Sequence, residues 1–190
     1  MNREEIIAFL KENVRPKRVK HSLGTEKAAR ELAERFGCDP AKAALAGLAH
    51  DCAKGLAPEL MQRYAEEAGF AVDELCRCSP QILHAPAGAT LARMKLGITD
   101  QEVLSAICWH TVPRLRMATL EKVVSVADLI EETRDFEGVE AIRMAAKTDL
   151  DKAFRLSLAR VIIHVLENGL PVHPDTITVY NELTLRQLPS

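Results

Sequence analysis

The feature that most constrains this chain is a helical spacing of apolar residues running almost from end to end, cut at intervals by Gly and Pro. Ile6, Ile7, Leu10 and Val14 follow one helix face across Glu4 to Val14, and Pro16 interrupts it. Lys17 to Phe36 places Val19, Leu23, Leu32, Ala33 and Phe36 on one stripe, with Gly37 as a stop. Asp39-Pro40 reads as an N-cap with Pro in the first helical position, opening an Ala/Leu-rich helix from Ala41 to about Ala53. Gly55 and Pro58 then break the chain. Pro58 to Ala68 and Ala85 to Leu96 are further helices, each ending at a Gly. Thr99, with Glu102 in the capping-box position, is expected to open a helix running to His110. Thr119 to Thr133, Val139 to Ala146 and Asp149 to Glu167 read as helices, and so does Thr176 to Leu185, whose partial alternation finds no partner strand. No βαβ unit, Gly-rich phosphate loop or repeat appears. The expected architecture is an all-α single domain spanning 1–190, with a core region at about 17–133 and helices from 139 to 188 packed on it.

Charge and composition then remove whole classes of function. Twenty-five Lys and Arg against 27 Asp and Glu leave −2, so a broad basic surface for nucleic acid is not expected. Eight aromatic residues supply few stacking platforms for a single strand. The start of the chain turns polar by Lys11, without a signal-peptide core, and no stretch is apolar enough to suggest a membrane span. Five Cys, at 38, 52, 76, 78 and 108, have no framework spacing and read as reduced cytosolic thiols. Cys76 and Cys78 lack a second pair at finger spacing and are read as ordinary thiols, not half a zinc site.

The informative feature is His50-Asp51. The pair alone is weak, since six His and nine Asp in 190 residues give about 0.3 such dipeptides by chance. Its setting is stronger: it ends the apolar run Ala44, Leu45, Leu48, Ala49, where a His and a carboxylate are poor core choices unless a metal offsets their desolvation. Asp128 poses the same problem inside Val123-Val124-Ser125-Val126-Ala127-Asp128-Leu129-Ile130. A core Arg partner is the alternative for Asp128. His21, His84 and His110 lie at helical positions or helix ends, whereas His164 and His173 have no such context and read as structural or surface residues. Imidazole with carboxylate suits Fe, Mn, Zn or Co, and two oxygens with several nitrogens favour octahedral coordination over structural zinc. Lys54, one turn past the pair, is either a solvated helix-end Lys or a phosphate contact. The run Arg15 to Lys20 is either an anion-steering patch or an exposed basic helix start.

The order His21, His50-Asp51, His84, His110, Asp128 resembles the HD-domain metal-dependent phosphohydrolase superfamily. Arg18-Val19-Lys20-His21-Ser22-Leu23-Gly24, Ala46-Gly47-Leu48-Ala49-His50-Asp51-Cys52-Ala53-Lys54 and His110-Thr111 resemble its YqeK-type symmetrical bis(5′-nucleosyl)-tetraphosphatases. So do Leu120-Glu121-Lys122, Ala127-Asp128, Arg134-Asp135-Phe136 and Pro171-Val172-His173-Pro174-Asp175-Thr176. The resemblance implies an HD-type helical bundle, an iron-type centre of one or two ions (with Mn or Co as alternatives), and cleavage of diadenosine tetraphosphate into two ADP. It implies His21, His50, Asp51 and Asp128 as principal ligands, with His84 and His110 completing a second site or meeting phosphates. Asp51 is the expected bridging catalytic carboxylate, and Lys54, Arg114 and Arg134 the expected anion contacts. The nucleophile expected is hydroxide generated on the metal. Three positions depart from the family pattern: Ala85 stands where Gly is usual, Val112-Pro113 where Thr-Gly is usual, and Leu129 where Tyr is frequent. The rival readings are another HD nucleotide phosphohydrolase, acting on deoxynucleotides or guanosine tetraphosphate, or a silent HD signalling module. The partners expected are a small nucleotide, with no nucleic acid and no membrane; a homodimer is left open.

Overall fold

The computed structural model describes residues 1–186 and is all-α, with no strand among them. The expected helix past residue 186, up to 188, lies outside the described residues. Among the described residues eleven helices follow in order: α1 (Arg3–Asn13), α2 (Pro16–Phe36), α3 (Pro40–Ala49), α4 (Pro58–Glu67), α5 (Glu74–Cys78), α6 (His84–Lys95), α7 (Gln101–Cys108), α8 (Thr119–Ile130), α9 (Val139–Ala145), α10 (Leu150–Glu167) and α11 (Pro174–Leu185). A 3₁₀ turn, Pro80–Leu83, leads into α6. No helix is long and apolar enough to cross a membrane, among the described residues.

The centre of the molecule is α3, whose Ala43, Ala44, Ala46, Gly47, Leu48 and Ala49 are all buried. It packs on α2, α7 and α8, which form the frame of the site. Small residues let the backbones meet closely. A Cβ on Gly47 would lie 2.8 Å from the Thr25 carbonyl oxygen, so only glycine permits this α2–α3 approach. That approach is what brings a histidine on α2 opposite the one that ends α3. Around this frame, α6 packs on α7 and α4, while α10 closes over α8 and α9 and carries α11. One large apolar cluster, including Leu10, Leu32, Leu48, Ile107, Val123, Val126 and Phe154, runs through all these contacts. A smaller one (Ala65, Phe70, Cys76, Leu83, Val112) lies under α4 and α5.

Several boundaries differ from the sequence expectation. α3 stops at Ala49, not about Ala53: Cys52 N–H bonds to Ala49 O, Lys54 N–H to Asp51 O and Leu56 N–H to Ala53 O, each over three residues, so the helix tightens into turns. α7 is capped by Asp100, whose Oδ1 accepts from Glu102 and Val103 N–H, not by Thr99, and it ends at Cys108 rather than His110. α8 ends at Ile130, not Thr133, because Glu131 turns to extended backbone. The segment 73–83, without a long apolar stripe, still forms α5 and the 3₁₀ turn, seeded by the Asp73 cap on Cys76 N–H.

Candidate metal centre

Four imidazoles and two carboxylates converge where α2, α3, α6, α7 and α8 meet. His21 projects from the second turn of α2 and His50 is the C-cap of α3. Asp51 is in the turn after it, His84 is the first residue of α6, His110 lies just past α7, and Asp128 sits in the last turn of α8. The His residues and Asp51 are buried, Asp51 at 2% exposure. The expected set therefore assembles in one place from five separate segments.

The second ring nitrogen of each histidine fixes its tautomer. His50 Nδ1 is 2.7 Å from Gly47 O, His110 Nδ1 is 2.7 Å from Ile107 O, and His84 Nδ1 meets Gln81 O. A carbonyl can only accept, so each Nδ1 carries a proton, and in the neutral ring, the form that binds a metal, each Nε2 keeps its lone pair. His21 Nδ1 is held in the same way, 3.0 Å from Glu131 Oε1. The four Nε2 atoms point inward in two pairs: His21 to His50 at 3.1 Å, and His84 to His110 at 3.1 Å. Lone pairs facing at such distances repel unless a cation lies between them.

Asp51 links the two pairs. Its Oδ2 is 3.3 Å from His50 Nε2 and 3.6 Å from His21 Nε2, while its Oδ1 is 3.1 Å from His84 Nε2 and 3.9 Å from His110 Nε2. Asp128 Oδ1 completes the first group, 2.9 Å from His21 Nε2. Each triad His21–His50–Asp51, His50–His110–Asp128 and Asp51–His84–His110 has its ligand atoms within 4.8 Å of one another. Convergent nitrogens and anionic oxygens, unsatisfied without positive charge, fit a divalent metal.

The electrostatics agree. Burial would push the Asp51 carboxyl up, but His50 and His84 hold it well below the usual carboxylate range. Burial is likewise outweighed at Asp128, by His21 and then Arg134. Burial opposes charge on His50, yet Asp51 and Asp128 hold its pKa above the ordinary imidazole value. His110 has no such net support: burial, His50 and His84 drive it down to about 3. The centre is thus a sink for cations on its Asp128 side, while on the other side His110 is held neutral.

Two supporting residues escape a reading of the sequence. Glu131 is buried and orients His21; burial would raise its pKa, but Thr133 and His21 hold it low. It accepts from Thr133 N–H at 2.8 Å, and a Cβ on Gly24 would strike its Oε2, so α2 is hollowed to admit it. From sequence, Glu131 and Glu132 look alike. Arg18, which the sequence places in a basic run and a family-like stretch without a role of its own, puts Nη1 2.7 Å from Asp51 Oδ2.

The predicted anion contacts separate. Lys54 Nζ is 3.8 Å from Asp51 Oδ1. Arg134 bonds to Asp128 and comes within 3.5 Å of His21 Nε2. Arg114 does not join them: it pairs with the buried Glu121 at 2.7 Å and lies over the Trp109 ring. Arg18, His21, Lys54 and Arg134 open onto a groove of 1050 Å³. His164 lines this groove too, whereas His173 caps α11 beside Asp73 and Cys76, its Nδ1 taking the Asp175 N–H.

An all-helical frame around a buried His/Asp centre, opening on a cationic groove, defines a metal-dependent phosphohydrolase. The sequence pattern of the HD domain family matches residues 18–133, from Arg18 to Thr133, and the chain belongs to that family. It is similar over nearly its whole length to proteins named symmetrical bis(5′-nucleosyl)-tetraphosphatase. The one from Bacillus subtilis (strain 168) is 40% identical over 96% of this chain and 98% of its own. The one from Halalkalibacterium halodurans is 38% identical over 98% and 100%. A crystal structure from Clostridium acetobutylicum, described as a "predicted HD superfamily hydrolase involved in NAD metabolism", superposes with a TM-score of 0.92 at 38% identity, covering 98% of this chain and 99% of that one.

Proposed function

We propose that this protein hydrolyses dinucleoside tetraphosphates, diadenosine tetraphosphate above all, at the central anhydride to give two nucleoside diphosphates. The observation that carries the reading is the bridging position of Asp51 between two pairs of inward-facing imidazoles, at the mouth of a cationic groove. Nearly full-length relatives named for this activity support it.

In this reading His21, His50, Asp51 and Asp128 hold the principal metal. His84 and His110, with the other oxygen of Asp51, hold a second ion or meet phosphate oxygens. Iron is the metal proposed, with Mn or Co able to replace it, because nitrogen and carboxylate donors suit these ions. The bound metal supplies Lewis acidity, which neutralises phosphoryl charge and makes water acidic enough to attack at neutral pH. The chain's own residues do the rest. Glu131 keeps the His21 lone pair aimed inward. Lys54, Arg18 and Arg134 meet charge on the tetraphosphate, which a protein of net charge −2 does not attract at long range. Water adds to one central phosphorus, the bridging P–O bond breaks in line, and the other nucleoside diphosphate leaves with the bridging oxygen. That leaving group spreads its charge over phosphate oxygens, so no strong general acid is needed. Arg114, engaged with Glu121, is kept only as a peripheral anion contact. Five unpaired thiols support a reducing, cytosolic setting.

The test is chromatography of products from diadenosine tetraphosphate, with elemental analysis of the same freshly purified protein. Two ADP per substrate and bound transition metal are expected. ATP with AMP, or metal-free folded protein that Fe, Mn and Co all fail to activate, overturns the reading.

A further inference from the structure

The groove beside the metal centre has a second character that phosphate binding does not use. His21 and the cations Arg18 and Lys54, which meet Asp51, and Arg134, which meets Asp128 and His21, form the part of its wall next to the His/Asp cluster. The rest of the wall includes Phe136 and Arg160, which touch none of the proposed ligands, with Leu129 and Val161 beside them. Arg160 lies over the Phe136 ring, its guanidinium carbon 5.9 Å from the centroid, and is steadied by Glu167 at 3.2 Å. Both side chains are only partly buried.

This wall is held rigidly. Arg143, on α9, donates to Ile130 O at 3.0 Å, to Glu131 O at 2.9 Å and to Arg134 O at 2.9 Å. The loop that carries Phe136 is thus clamped from behind, and Val139 N–H closes onto Phe136 O at 3.1 Å. Phe136 follows Arg134 by two residues, so the two side chains are rooted within about 7 Å of each other along the chain. A partly open aromatic–guanidinium pair next to phosphate-binding cations is matched by a ligand with a planar ring joined to phosphates. Volume agrees, since 1050 Å³ exceeds what a diphosphate alone needs.

We propose that Phe136 and Arg160 form the shelf on which one nucleobase of the substrate stacks, fixing that nucleoside while Arg134, Arg18 and Lys54 take its phosphates. This deepens the proposed function and rests on it for the identity of the substrate. Stacking reads the face of a base, not its edge, so purines bind better than pyrimidines and adenine is not sharply separated from guanine.

The experiment is calorimetric titration of the full metal-loaded chain with ADP and, separately, with inorganic pyrophosphate. Phe136→Leu should weaken ADP by about tenfold or more, the size of one lost base stack, and leave pyrophosphate within about twofold. Phe136→Tyr should restore ADP binding. Unchanged ADP affinity in Phe136→Leu, or an equal loss for ADP and pyrophosphate, overturns the shelf. Should Phe136→Leu not fold, Arg160→Met, which keeps the stem and removes the charge, must give the same split in smaller degree, and no split overturns the shelf. These titrations involve no turnover, so they stand apart from the product analysis that tests the reaction itself.

Discussion

The two sides of Asp51 use the same ligand type in different electrostatic settings. On one side His21 and His50 face Asp128 as well as Asp51, with Glu131 behind His21 and Arg18 and Arg134 at the rim. On the other, the second oxygen of Asp51 is the nearest carboxylate to His84 and His110, at 3.1 and 3.9 Å, Asp128 lies farther from His110, and both rings are anchored by backbone carbonyls. Two carboxylates against one means that the first side offers a cation more charge, and Glu131 makes its His21 a stronger donor. In the proposed reaction this difference puts the tighter metal site on the Asp128 side and leaves the His84 side for a weaker ion or a phosphate oxygen.

The largest effect is expected where the sides join. Asp51→Ala should abolish bound metal on both and lower turnover of diadenosine tetraphosphate by about a thousandfold or more, since it removes metal-dependent catalysis outright. Full activity in a metal-depleted Asp51→Ala protein would sink the mechanism. The next step separates the sides. His21→Ala should lose nearly all metal, whereas His84→Ala should keep about one equivalent while kcat falls; equal metal loss in both erases the distinction. Glu131→Gln keeps the volume but weakens the pull on His21 Nδ1–H. A drop in metal affinity of about 10- to 100-fold is expected, read by competition with a chelator while the circular dichroism spectrum is unchanged.

Acid titration of the metal-stripped protein probes the His110 side. The folded His110 pKa, about 3, is depressed below the unfolded value of about 6.5. Its contribution to stability is therefore fully present above pH 6.5 and is lost as the pH falls from there toward 3. His50, with a raised folded pKa, contributes in the opposite sense: its term is present below pH 6.5 and is lost as the pH rises through its folded value. Urea midpoints should thus fall from pH 6.5 to 4 in metal-free protein, and His110→Gln should flatten that fall. A limb that persists in His110→Gln reassigns it to other groups. The smallest effect is in the thiols that back this side. Burial pushes Cys52 and Cys108 up to about 12, so at pH 8 a thiol reagent should modify exposed Cys78 quickly and leave these two intact. Rapid labelling of Cys52 would mean that the His84 side opens in solution.

Much of this was legible in the chain itself, where local chemistry decides. Asp39-Pro40 and Gly37 mark a helix start and stop through capping and left-handed backbone, and both do so in the fold. Asp128 and His50-Asp51 stand out because charge in an apolar run needs a partner. The segment 73–83 was not legible, since short helices are decided by packing and one cap rather than by periodicity. Neither was Glu131, whose neighbour Glu132 has the same chemistry but faces solvent. Arg114 shows the opposite limit: a cation beside the right motif is turned away by a buried Glu121.

The sequence by itself determined that the chain is helical and that four histidines and two aspartates need an explanation. Those are properties of spacing and desolvation, which each segment carries alone. Only the tertiary structure decided that Asp51 divides its two oxygens between two imidazole pairs. It also decided that Glu131 and Arg18 support the centre, and that Phe136 and Arg160 meet on one groove wall. Contacts such as His21 with His50, 29 residues apart, depend on how closely α2 and α3 approach. That approach is set by the fit of Gly47 against Thr25, a relation no local pattern encodes.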